Sequence, residues 1–162
     1  RAALSAAAAL ALLAFGMPGL LGDRPATDRV AASAAGSWGS FDRAGIPSLV
    51  AAGRTVFVDV TADWCITCQA NKALVLDRGS AATRLFDGAV VTMRADWTRP
   101  DPAIAGYLAD HGRYGIPFNV VYGPGAPEGI VLPELLSERA VVEALDRAAG
   151  PPAGLAAAVG PD

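Results

Sequence analysis

Two cysteines, Cys65 and Cys68, are the only ones in the chain, and they stand where a strand-like run hands over to a helix-like one. The run before them, Arg54-Thr55-Val56-Phe57-Val58-Asp59-Val60, is apolar and β-branched, as a strand buried on both faces requires. The run after them, Gln69-Ala70-Asn71-Lys72-Ala73-Leu74-Val75-Leu76, reads as a helix continuing to Asp77. A cysteine that opens a helix has its sulfur near the unpaired N–H groups of the first turn. Those groups and the helix dipole favour thiolate over thiol. Cys68 lies one turn along on the same face and can close a short disulfide with Cys65. The expectation is an exposed, nucleophilic Cys65 and a shielded, resolving Cys68, the division of labour that thiol–disulfide exchange needs.

Three other readings compete. A copper- or zinc-binding module would use the two thiolates as ligands, but zinc needs two more, and the chain offers one histidine, His111, and no further cysteine. A purely structural crosslink would close a loop too short to remove much chain entropy. A thiol oxidase or isomerase of the same architecture stays open as well, because Ile66-Thr67 between the cysteines does not fix a redox direction.

Trp-Cys-x-x-Cys after a strand resembles the thioredoxin fold. Asp59, six residues before Cys65, matches the buried acid of thioredoxins, and Gly115-Ile116-Pro117 followed by Phe118-Asn119-Val120-Val121-Tyr122 matches their cis-proline loop and the next strand. The ordered phrases Ala62-Asp63-Trp64-Cys65-Ile66-Thr67-Cys68 with Asn71-Lys72, Asp96-Trp97-Thr98-Arg99-Pro100-Asp101 and Tyr114-Gly115-Ile116-Pro117-Phe118 are similar to the C-terminal periplasmic domain of DsbD-type protein-disulfide reductases. Within these the likeness is to the ScsB-like branch linked to copper tolerance, and it covers roughly residues 41–148. Lys72 departs from it, standing where DsbD carries an acid.

The resemblance implies an α/β thioredoxin-like fold, a mixed sheet flanked by helices. It implies Cys65, Cys68, Asp59 and Pro117 as catalytic residues, with Trp64 and Ile116 facing the partner. No organic cofactor is implied, because the cysteine pair carries the two electrons. Electrons would arrive from an upstream membrane domain of the same polypeptide and leave to periplasmic thiol–disulfide proteins. A cis Pro117 would hold the Ile116 main chain open for a partner's extended segment. Asp59 would sit near the Cys68 sulfur with a raised pKa and relay protons to and from that thiol. An acid paired with a lysine or hydrated at a strand end is the alternative for Asp59. For Trp64 the alternative is a core aromatic, and for Pro117 an ordinary trans proline at a strand edge.

Residues 1–21 contain an uncharged apolar run, Ala2 to Leu21, about long enough to cross a bilayer as a helix. A signal peptide and an Ala-rich helix of a soluble fold are the other readings. With the resemblance, a transmembrane helix at the end of a membrane domain is expected, which would place the chain in a bacterial inner membrane with its redox domain facing the periplasm. Residues 22–40 read as a flexible linker rich in Gly, Ala, Ser, Pro and Asp, residues 41–150 as the thioredoxin-like domain, and residues 151–162 as a frayed tail. A net charge of −3 leaves no basic footprint for nucleic acid.

Inside the domain, Asp42–Ala52 reads as a short helix or irregular lead-in and Ser80–Phe86 as a short helix. Ala89–Met93 is an expected strand. Asp101 is an expected cap, with Pro102 at the first position of a helix running to His111 and ended by Gly112. Phe118–Tyr122 and Ile130–Leu132 read as a hairpin around a Gly- and Pro-rich turn. Ser137 is an expected cap for a helix reaching Ala149.

Overall fold

The computed structural model describes residues 37–151. The expected membrane span at 2–21, most of the linker at 22–40 and the tail beyond 151 lie outside the described residues. Among the described residues no helix is long and apolar enough to cross a membrane.

Five strands form one mixed sheet. They are β1 (Gly39–Ser40), β2 (Thr55–Thr61), β3 (Val90–Asp96), β4 (Phe118–Gly123) and β5 (Ala126–Val131), in the spatial order β1-β3-β2-β4-β5. β1 and β2 both run parallel to β3, whereas β2–β4 and β4–β5 are antiparallel. Among the described residues, five α-helices and one π-helical turn surround the sheet. α1 (Ile46–Ala51) and α4 (Pro102–Asp110) cover one face. α3 (Gly79–Leu85), α5 (Glu138–Ala149) and the π-helical turn Lys72–Leu76, which continues α2 (Ile66–Asn71), bury their apolar residues against the other.

Side-chain alternation along β2 splits the core in two. Val56, Val58 and Val60 join Met93, Val120, Tyr107 and Leu108 on the α1/α4 face. Phe57 joins Val121, Leu76, Leu85 and Leu145 on the opposite face. Asp59, two residues beyond Phe57, therefore points to the face covered by the helix that starts at the cysteines. Phe57 is fully buried, and a side chain of that kind stabilises the fold by about 1.5–3 kcal/mol on transfer from water.

Several boundaries differ from the sequence reading, each for a local reason. The linker assignment fails at its end: residues 37–40 belong to the folded unit, because Gly39 and Ser40 pair with Met93 and Arg94 and Trp38 packs on Phe57 and Phe86 with ring centroids 5.9 and 5.7 Å away. β3 runs past the expected end at Met93 to Asp96, because Arg94 faces a partner on β2. The turn of the hairpin shrinks to Pro124 and Gly125, and β5 begins at Ala126 despite Pro127 and Gly129. A close approach explains Gly123 and Gly125: a Cβ on either would meet the Ala148 or Arg147 carbonyl oxygen, at 2.2 and 2.3 Å. The capping expectations for the later helices hold. The Asp101 carboxylate accepts from the Ala103 and Ile104 amides, and the Ser137 hydroxyl accepts from Ala140 N.

Candidate active site

Cys65 is the N-cap of α2, in extended backbone conformation, and its sulfur accepts from the Cys68 amide at 3.2 Å. The cap is possible because Cys65 N itself bonds back to Ala62 O, folding the chain tightly out of β2. The two sulfurs form a disulfide with Cα atoms 5.2 Å apart. Ala62 and Ile116 pack on the pair. Cys65 is less open than expected: in this oxidised form it is 6 % exposed against 2 % for Cys68. The order of accessibility is the expected one, but the packing around the pair leaves only a narrow approach to the first sulfur.

Trp64 beside it is 61 % exposed, which removes the core-aromatic alternative. Its indole N–H donates to the Thr98 carbonyl at 3.2 Å. Thr98 is in turn held by Asp63 N, which donates to its hydroxyl at 2.9 Å, and by its own amide, which donates to Asp96 at 2.9 Å. The ring is thus fixed although solvent reaches it. Trp64, Trp97, Thr98, Pro100, Tyr114 and Ile116 line a groove of about 450 Å³ alongside the disulfide.

The peptide bond Ile116–Pro117 is cis. Pro117 itself is buried, at the foot of β4. Pairing of β4 with β2 starts only at Phe118 opposite Val60, so the Ile116 main chain lies outside the ladder.

Asp59 is 3 % exposed and sits in a row of three polar side chains that crosses the sheet. Arg94 on β3 and Asn119 on β4 are its direct cross-strand neighbours. Arg94 Nε donates to one carboxylate oxygen at 3.1 Å and Asn119 Nδ2 to the other at 3.0 Å. Burial pushes the Asp59 pKa up; Arg94, Asn119 and, more weakly, Lys72 pull against it. The partner is therefore an arginine in mid-strand, in place of the lysine or water of the alternative reading. Both oxygens are engaged, one by Arg94 and the other by Asn119, and neither by a cysteine.

Sequence reasoning missed Arg94 and Asn119. A signal was present: each is one polar side chain in an otherwise buried strand run, and such groups need partners. It also missed the strut at Asn71, which is 3 % exposed. Asn71 donates to Glu134 O at 2.7 Å and accepts from Leu136 N at 3.0 Å, tying the end of α2 to the chain before α5. The remaining singled-out residues play other parts. His111 joins the Tyr107–Tyr122 hydroxyl pair through its Nε2, 2.9 Å from Tyr122 Oη, on the α4 face. Lys72 begins the π-helical turn, half-buried. Among the described residues no group of three or more His, Cys, Asp or Glu is placed to hold a metal ion.

A family model described as thioredoxin-like matches residues 37–124, more than half of the chain. The chain belongs to the thioredoxin-like family. It is 35 % identical over 77 residues to thiol:disulfide interchange protein DsbD 1 of Pseudomonas aeruginosa, a match covering 48 % of this chain and 13 % of that relative. The chain thus spans only a small part of the relative's length. The fold is similar to the C-terminal domain of Neisseria meningitidis DsbD, reduced and oxidised. Both structures align with a TM-score of 0.51 at 20 % identity over 65 % of this chain, covering 92 % and 91 % of theirs. This thioredoxin-like domain is related to the DsbD C-terminal domain, and the family match begins at residue 37, the first of the described residues.

Proposed function

We propose that this domain is a thiol–disulfide oxidoreductase that reduces disulfides of partner proteins. The observation that carries the reading is the Cys65–Cys68 disulfide at the head of α2, flanked by a groove and by the unpaired main chain at Ile116. In the reduced state the Cys65 thiolate attacks a sulfur of a partner disulfide. A bond forms between Cys65 and that sulfur, and the partner's other sulfur leaves as thiolate and takes up a proton. Cys68 then loses its proton, with Asp59 as acceptor, and attacks the Cys65 sulfur. The mixed disulfide breaks, the partner's second sulfur leaves as a thiolate and takes up a proton, and the partner departs as a dithiol with the Cys65–Cys68 disulfide formed. Two electrons have passed from the cysteine pair to the partner, so no organic cofactor is called for.

Because both Asp59 oxygens are engaged, accepting that proton requires the carboxylate to loosen from Arg94 or Asn119. Trp64 and Ile116 shape docking: the partner's extended segment pairs with the Ile116 main chain while its side chains lie against the indole. Pro117 follows Ile116 through the cis peptide bond, immediately before β4.

The wider setting is part of the proposal. The apolar run 2–21 is a transmembrane helix in a bacterial inner membrane and the domain faces the periplasm. Electrons come from a membrane domain of the same polypeptide and go to periplasmic disulfide proteins. The sequence phrases shared with the ScsB-like branch support a place among the copper-tolerance proteins.

The deciding experiment is the reduction potential of the full chain equilibrated against dithiothreitol or glutathione buffers. A value of about −230 to −270 mV, toward the thioredoxin end, supports the reductase. A value near about −120 mV would overturn that direction and leave an oxidase.

A further inference from the structure

Trp38 stands apart from the groove, on the far side of the polar row. The Arg94 guanidinium carbon lies over its indole, 4.1 Å from the ring centroid. The same guanidinium reaches Asp59 through Nε. Its Nη2 is buried and has no hydrogen-bond acceptor. A guanidinium with a buried, unpartnered nitrogen is costly unless an aromatic face compensates it. Here the face is Trp38, so Arg94 is held between an indole on one side and a carboxylate on the other.

Trp38 is placed by a slender element. β1 is two residues long and pairs with β3 alone, Ser40 opposite Arg94. Phe41 N donates to Arg94 O at 3.2 Å and Thr92 Oγ1 to Ser37 O at 3.1 Å, which locks the segment along the edge of β3. The indole itself rests on Phe57 and Phe86.

We propose that Trp38 is a positioning residue for the redox site: its stack on Arg94 presses the guanidinium against Asp59, so the docking of β1 tunes the buried acid. The link to catalysis rests on the thiol-exchange reading, which gives Asp59 its task; the geometric coupling does not. The charges that reach Asp59 are those of Arg94 from β3 and, more weakly, Lys72 from the π-helical turn, with Asn119 as the neutral donor from β4. Arg94 is the strongest of these, and Trp38 is what confines it. Undocking β1 would let Arg94 swing into water and leave Asp59 with less opposition to its burial.

The test reads Asp59 directly, by following its carboxyl carbon-13 shift against pH in the oxidised full chain. Trp38→Leu keeps apolar bulk against Phe57 and Phe86 but has no π face; Trp38→Phe keeps a face. Arg94→Met removes the cation. The Asp59 midpoint is expected to rise by about half a pH unit or more in Trp38→Leu, to rise further in Arg94→Met, and to stay near the parent in Trp38→Phe. A parent-like midpoint in folded Trp38→Leu would overturn the proposal, and so would a rise in Trp38→Phe equal to that in Trp38→Leu. Since the readout uses the disulfide form and no partner, a failed reductase assay leaves its outcome untouched.

Discussion

The Cys68 amide donates to the Cys65 sulfur across 3.2 Å, which makes Cys65 the cap of the helix that Cys68 belongs to. Once the disulfide opens, the same N–H faces a sulfur that can carry charge. Cys68→Ala keeps this donor and Cys68→Pro deletes it, in a first turn that tolerates proline. A hydrogen bond to a charged group is worth about 1.5–3 kcal/mol, so the Cys65 thiol should titrate roughly one to two pH units higher in Cys68→Pro than in Cys68→Ala. Thiolate ultraviolet absorbance against pH measures the difference.

Asp59 gives the protein a pH dependence of defined sign. Its folded pKa is raised above the ordinary 3.8, chiefly by burial. A carboxyl raised in this way binds its proton more tightly folded than unfolded. Its contribution to stability is therefore full below 3.8 and is lost as pH climbs through the folded value. Asp59→Asn lacks this loss. The stability of Asp59→Asn relative to the parent should grow as pH rises from acid to neutral, measured by urea denaturation at a series of pH values. A constant difference would contradict the raised value.

Trp64 is exposed yet fixed, so its removal should affect binding more than folding. Trp64→Ala is expected to slow reduction of a protein disulfide about tenfold, equivalent to about 1.4 kcal/mol of lost docking energy. Reduction of a small aromatic disulfide, which makes little use of the groove, should change far less. Equal losses on both substrates would remove Trp64 from the docking surface.

The Asn71 strut should matter for stability. Asn71→Ala leaves the buried Leu136 amide without its acceptor. A loss of about 2 kcal/mol is expected, read as a lower urea midpoint with an unchanged slope.

Much of this was readable in the chain because the chemistry is local. Cys65 and Cys68 lie within one turn, and a strand before them and a helix after them need only nearby residues to be recognised. Asp101 before Pro102, and Ser137 before Glu138, announced their helices in the same way. Asp59 was legible as an anomaly, an acid in an apolar run. Its partners were not, since Arg94 and Asn119 are 35 and 60 residues away in sequence and are adjacent only through the register of three strands. The position of Trp38 over Arg94 was hidden for the same reason. Its sequence neighbours look like linker, and only the parallel pairing of β1 with β3 brings it over Arg94. The π-helical turn at Lys72–Leu76 was invisible too, because its residues have ordinary helical propensity and the extra residue is accommodated by packing of Val75 and Leu76.

β5 forms the outer edge of the sheet, and an edge is where proteins risk recruiting each other. Three consecutive residues blunt it. Pro127 supplies no amide hydrogen, Glu128 adds charge, and Gly129, at φ +89°, bends the backbone off the extended path. A Cβ at Gly129 would strike Tyr122 and Val120 at 2.7 Å, so that bend cannot easily be filled in. An intruding strand meets a broken row of donors on this flank. The protein can thus leave main chain bare at Ile116, where the proposed partner pairing would be transient, without offering a second bare row on this flank that would nucleate aggregation.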